Sequence, residues 1–347
     1  MPSAKRAKTV ESRRAPAPVV VHSAPLVLPV CAAPLRDGAV AVRGDRVLRV
    51  GSRAELCSSF PGSEELRWEG MIVAGMVDAC ATAFTTAPGV TARASVVSDL
   101  ADPTAPPGIS YVEVSSGSEE EWEDTERDAV ITAIREVDRP CAVGIAAHTP
   151  DPQVLEDVAV LARTFGLRLL VDLTRHSPAA LDEAGVLGPL CHVVCARPLD
   201  PGERKLLRLR RTVVALCPPG PGPAGDALAL LDEGNTVAFG TRGHMPWPPA
   251  GPLDAGGPLG LAAAVRRHAR ELGLRPRALD RRLVEAATLG GAQALGMDRG
   301  RGRIGSLAPG ARADFAIFDA RGRYPYAALL GRPPCLGTVI GGVVTAA

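Results

Sequence analysis

The apolar residues of this chain fall into short runs whose rhythm changes along its length. Between residues 35 and 56, LRDGAVAVRGDRVLRVGSRAEL alternates apolar and polar positions, with Asp37-Gly38 and Gly44-Asp45 interposed. That pattern predicts short paired strands joined by tight turns. Toward the other end, IGSLAPGARADFAIFDA supplies more strands, and LGTVIGGVVTA a last hairpin turning at Gly341-Gly342. Residues 74–300 instead alternate apolar runs with amphipathic stretches, the signature of repeated βα units. ISYVEVSS (109–116), CAVGIAAH (141–148), LRLLVDLTRH (167–176), PLCHVVCARP (189–198), RTVVALCPP (211–219) and NTVAFGTRGH (235–244) read as strands. Helices are expected over DPQVLEDVAVLARTFG and over 178–185, 201–210 and 225–234, with ALDRRLVEAATLGGAQALG as a closing helix pair. The alternation fails between Ala83 and Pro107, where Pro, Ala and Thr dominate. Fewer than eight complete units can be counted, so a barrel trimmed on that side is expected.

One stretch organises the rest. In MIVAGMVDACAT (71–82) a strand meets the small turn Ala74-Gly75, and a second apolar step delivers Asp78, Cys80 and Thr82 at alternate positions. Alternate residues of a strand share a face, so these three side chains should emerge together at its C-terminal end.

Composition narrows the picture. Hydrophobic residues make up 46% of the 347-residue chain but aromatics only 3%, which implies a core of Ala, Val and Leu. A formal charge of +1 gives no global argument for nucleic acid or membrane, and no run approaches the ~18–20 apolar residues of a membrane span. Residues 1–18 carry Lys5, Arg6, Lys8, Arg13 and Arg14 without periodicity and read as a disordered leader. Eight cysteines without a secretory signal indicate reduced thiols and a cytoplasmic protein.

In their order, these pieces resemble the amidohydrolase superfamily, on the side of imidazolonepropionase and aminodeoxyfutalosine deaminase. The resemblance rests on MIVAGMVDACAT, the hairpins of 35–56, EAATLGGAQALGM (285–297) and GRIGSLAPGARADFAIFD (302–319). It implies a (β/α)8-type barrel over 74–300 and one small β-sandwich composed of 19–73 together with 301–347. It also implies a catalytic metal, held by His and Asp side chains at the strand ends, which would lower the pKa of bound water. At the family's ligand positions, however, this chain carries other residues. The His-x-His pair falls on Cys80 and Thr82, the next His on Asp172 with Arg175 at its Glu, a further His on Val194, and the Asp of Gly-Thr-Asp-Gly on Arg242. An arginine only donates hydrogen bonds and repels a cation.

The expectation is therefore a metal-free protein without cofactor that binds a small polar, even anionic, metabolite. The alternative is a metal-independent hydrolase or deaminase acting on a non-peptide C–N bond of a nucleoside- or imidazolone-like compound. His148, at the family's substrate-contacting His, is either a ligand contact or a solvent-facing residue with Asp151 as its local partner. Arg175 and Arg242 should flank the mouth, paired with Asp172 and Asp78 or awaiting an anion. Cys80 is an inert thiol or, with Arg242 or His148 beside it, a nucleophile. A rebuilt thiolate site could draw on Cys80, Asp172, His192, Cys195 and Cys217. Within one strand, though, Cys191 and Cys195 would stand about 13 Å apart, too far for one ion. The acidic run 118–128 matches no calcium loop and reads as a helix N-terminus, and GPGPAG (220–225) lacks the donors of a phosphate loop. Self-association is left open.

Overall fold

A computed structural model describes residues 17–81, 87–97, 107–136, 142–217, 223–241 and 256–345. The chain opens with five strands: β1 (Val19–Leu28), β2 (Leu35–Arg43), β3 (Arg46–Ser52), β4 (Glu64–Arg67) and β5 (Met71–Ala74). Eight follow: β6 (Met76–Ala81), β7 (Val90–Val97), β8 (Gly108–Val114), β9 (Ala142–Ala147), β10 (Arg168–Asp172), β11 (Cys191–Cys195), β12 (Val213–Leu216) and β13 (Val237–Phe239). Three close the chain: β14 (Phe315–Phe318), β15 (Cys335–Ile340) and β16 (Val343–Thr345).

The first five and last three strands build one mixed sheet in the order β16-β15-β14-β5-β1-β2-β3, with β4 beside β1. β14 joins the halves by pairing antiparallel with β5, Ala316 opposite Val73. The sheet then rolls onto itself: Val47 N–H donates to the Ala311 carbonyl at 2.9 Å and Ala313 N–H to that of Asp45 at 2.8 Å. Gly341 and Gly342, at φ of 57° and 79°, make the left-handed turn that a two-residue hairpin demands. Asp37-Gly38 does not turn the chain. It lies within β2, whose pairing with β1 runs through Gly38 opposite Ala24.

β6 to β13 form a nearly closed eight-stranded parallel barrel in strict sequence order. All eight strands are present, and the segment where alternation fails contains β7, parallel to both β6 and β8. VTARASVV hides because Thr91, Arg93 and Ser95 are buried with the apolar residues between them. A helix absent from the sequence expectation, Gly257–Glu271, buries Leu259, Ala262, Val265 and Ala269. The closing helix pair is instead one helical run over 279–295, carried through a π turn at Ala286–Gly290. A Cβ on Gly290 would lie 2.1 Å from the Val237 carbonyl, and one on Gly291 2.5 Å from that of Val77. These glycines let the helix backbone rest on β13 and β6, the two strands at the barrel seam.

The barrel interior is packed mainly with small apolar side chains. Ala79, Ala92, Ala94, Ala146, Ala215 and Ala238 share one buried cluster with Ile109, Leu170 and Val194. Among the described residues no helix is long and apolar enough to cross a membrane.

Candidate active site at the barrel mouth

Three small networks line the C-terminal ends of the strands, the face at which parallel barrels bind ligands. The first closes the seam. The buried carboxylate of Asp78 accepts from Thr241 N–H at 3.0 Å, Thr241 Oγ1–H at 2.5 Å and Cys80 N–H at 3.2 Å. Burial lifts its carboxyl to about 6, against the pull of these donors and of the Arg93 charge. Arg93, opposite Asp78 in the β6–β7 register, has its own pKa lowered by burial. Beside this clasp the thiols of Cys80 and Cys217 meet over Gly240, where a Cβ would lie 2.6 Å from Cys217 Sγ and 2.8 Å from Cys80 Cβ. The hydrogen bond with Cys80, together with burial, raises the Cys217 pKa well above the ordinary thiol range. Cys217 is thus a thiol, not a thiolate, near neutrality.

The second network belongs to β8 and the end of β9. Glu113 and Tyr111 share the inward face of β8, and Glu113 Oε1 stands 2.8 Å from His148 Nδ1. The imidazole is 1% exposed. Its neighbour Thr149 donates Oγ1–H to the Ser116 carbonyl at 2.7 Å, which pins the loop. Asp151 is not the partner of His148. It caps the helix Pro152–Phe165, accepting from Gln153 and Val154 N–H.

The third network holds Asp172. β10 ends at this residue, and its Oδ1 accepts from Thr174 N–H at 2.7 Å and Thr174 Oγ1–H at 2.8 Å, a side-chain-closed turn. That turn redirects Arg175. The sequence placed it on a strand that ran to residue 176, pointing into the mouth. The chain has already turned, so Arg175 is exposed and donates Nη1–H to the His148 carbonyl at 2.9 Å. Its side chain pairs with neither Asp172 nor Asp78. Arg242 and Thr82 lie outside the described residues, so their expected places at the mouth carry no structural statement.

Two other residues fall away from the mouth. His192 shares a face with Val194 but sits one layer deeper. There its Nε2–H reaches the Ala79 carbonyl at 3.1 Å while Nδ1 stands 3.2 Å from the Tyr111 hydroxyl. Burial, helped by the Arg168 charge, lowers its pKa to about 3, so it is a neutral core residue with both nitrogens in use. Cys195 is buried and donates to the Arg197 carbonyl at 3.2 Å.

The structure therefore brings Asp78, Cys80, Cys217 and Thr241 together, and joins His148 to Glu113 and to Arg175. Sequence reasoning passed over Glu113. The signal was available, since it is the one charged residue in ISYVEVSS and lies two positions from Tyr111. Thr241 and Arg93 gave no signal, because each acts on Asp78 across strands. Among the described residues, no group of three or more His, Cys, Asp or Glu side chains converges as a metal ion requires. Cys80 turns to Cys217, one oxygen of Asp172 is occupied by its own turn, and Val194 has no donor.

A parallel barrel joined to a sheet composed of both chain ends is also the fold of several solved structures, and two family profiles match parts of the chain. The Amidohydrolase family profile matches residues 224–345, and that of the imidazolonepropionase-like composite domain of bacteria matches 38–62. No curated protein matches the chain by sequence. Among solved structures, an adenosine deaminase from Xanthomonas campestris with bound zinc is similar at 18% identity and a TM-score of 0.72, covering 96% of this chain and 94% of that one. Helicobacter pylori aminofutalosine deaminase gives 12% identity and a TM-score of 0.73 over 94% of this chain and 100% of the other. An amidohydrolase from a Sargasso Sea environmental sample gives 17% and 0.71 over 94% and 92%.

Proposed function

We propose that this chain is a divergent amidohydrolase-fold protein that binds a small polar metabolite at the barrel mouth without the family's metal ligands. The observation that carries the reading is the internal commitment of the mouth. Asp78 is consumed by the seam, Asp172 accepts from its own turn, and Cys80 is held against Cys217. What remains for a ligand is the Glu113–His148 pair. Among the described residues the pair offers a carboxylate beside an imidazole, with the Arg175 guanidinium on the His148 carbonyl, which suits a small polar compound. Compounds of the nucleoside or imidazolone kind fit this description, and an adenosine deaminase and an aminofutalosine deaminase are among the proteins of similar fold.

A second reading draws on the same pair. A carboxylate 2.8 Å from a buried imidazole is the arrangement that holds a general base in one tautomer, so His148 could abstract a proton from water in a metal-independent hydrolysis. One experiment separates the two. The purified chain is titrated with a panel of amino-nucleosides and imidazolone-type lactams, followed by melting temperature, by ammonia release from the nucleosides and by ultraviolet absorbance for ring opening of the lactams, with and without a chelator. Stabilisation that is indifferent to the chelator, without turnover by either readout and lost in His148→Ala, is the expected result. Turnover that survives the chelator and falls in Glu113→Gln establishes the second reading. Binding abolished by the chelator overturns both.

A further inference from the structure

A second recess lies in the connection between the helix Gly257–Glu271 and the helical run that begins at Leu279. It is a half-open hollow of about 620 Å3 and shares no residue with the barrel mouth. Cavities of this size accept small organic molecules. Arg266, Arg270 and Arg275 line it, with Leu274, Pro276 and Leu279 as its apolar wall and Asp280 as its one carboxylate.

The arginines differ in their commitments. Arg266 is nearly buried and grips Asp280 with two contacts, Nε–Oδ1 at 2.7 Å and Nη2–Oδ2 at 3.0 Å, while Nη1 reaches the Ala327 carbonyl at 3.2 Å. That pair is neutral and fixes the floor. Arginines just beyond the recess are also paired, Arg281 with Glu285 and Arg282 with Asp232. Arg270 and Arg275 form no ion pair among the described residues, so the recess holds three guanidiniums against one carboxylate, a surplus of two positive charges.

Two further observations point the same way. Leu274 is left 46% exposed at the recess, an apolar side chain beside two uncommitted cations. Ala278, also in the lining, holds a left-handed φ of 53°. A residue with a Cβ pays for that conformation, and such strain gathers where a loop is shaped for a ligand. Arginine binds phosphate oxygens in a fork, and two of them match the two negative charges of a phosphomonoester.

The geometry points to a binding site for a small phosphorylated metabolite in this recess, its phosphate held by Arg270 and Arg275 and its organic body against Leu274, Pro276 and Leu279. This site goes beyond the proposed activity and does not depend on it.

Calorimetric titration of the full chain with phenyl phosphate tests it, since this probe carries the phosphate and an apolar body but nothing resembling a nucleoside. Saturable binding at one site per chain is expected, with inorganic phosphate competing more weakly and phenol not at all. The double variant Arg270→Gln/Arg275→Gln should weaken phenyl phosphate at least about tenfold while its unliganded melting temperature stays unchanged. Arg267→Gln, outside the lining, should bind as the wild type does. Absence of saturation, or equal affinity in the double variant, overturns the proposal. So does tight binding of a short single-stranded oligonucleotide by a chain that ignores phenyl phosphate, because the arginines would then serve a nucleic-acid surface.

Discussion

The two sheets of this molecule are closed in the same manner with different consequences. Where the composite sheet rolls shut, buried Asp314 accepts from Gly341 N–H at 2.7 Å and meets Arg312 Nε at 3.1 Å. Where the barrel closes, buried Asp78 accepts from Thr241 and Cys80. Burial raises the pKa of both carboxyls. Asp314 touches its arginine directly and lies far from the mouth, so its charge serves architecture. Asp78 is answered chiefly by neutral donors and stands beside Cys80 and Cys217 at the rim. A shared device for closing a sheet thus sets its carboxylate against a guanidinium at one seam and against neutral donors at the other, where the carboxyl is raised to about 6.

Three measurements test that contrast. Asp78→Ala strips the acceptor from three donors at once and should lower the unfolding free energy by about 3–4 kcal/mol. Asp314→Ala releases one backbone donor and a partly exposed arginine, and should cost about 2 kcal/mol. Urea unfolding at pH 7 ranks them, and a larger loss at 314 removes the distinction between the seams.

The next effect is one of pH. The folded Asp78 carboxyl titrates at about 6 and the free one at 3.8, so the folded chain binds the extra proton between these values. The stabilisation linked to that proton is complete below about pH 3.8 and is lost as the pH rises through 6. Measured against Asp78→Asn, the wild type should lose roughly 2–3 kcal/mol between pH 4 and pH 7. A constant difference across that range would show that the donors at the seam fully offset the burial.

The smallest effect concerns the turn of the composite sheet. A Cβ on Gly341 meets nothing closer than 3.5 Å, so only its φ of 57° opposes substitution. Gly341→Ala should therefore cost about 1 kcal/mol in thermal unfolding. A loss as large as that of Asp314→Ala would mean that the turn, and not the carboxylate, holds this seam.

Much of this architecture can be read from the chain because period and turn chemistry are local. The hairpin at Gly341-Gly342, the long barrel helix Pro152–Phe165 and most barrel strands follow from neighbours in sequence. β7 escaped because its polar side chains are buried, which alternation alone cannot show. Arg175 was misdirected by two residues of strand. Thr174 closes a turn on Asp172, and a boundary error of that size takes the guanidinium off the strand and onto the His148 carbonyl. His192 was assigned to the correct face but not to its depth, since a period of two fixes sides and leaves layers free. The clasp itself joins residues 163 apart, and nothing local to Asp78 announces Thr241.

The pairing of β14 with β5 also sets a timetable. β5 is MIVA, buried at every position, and one of its edges is covered only when Phe315–Phe318 arrives from the far end of the chain. A ribosome making this protein N-terminus first must finish the whole barrel before that partner exists. For that interval the nascent chain carries an apolar strand with an unpaired edge, open to other chains. The barrel seam waits too, because Gly290 and Gly291 come late. The completed sheet thus has to wait for residues 315–318, and the long sequence separation of this pairing makes its formation a slow step.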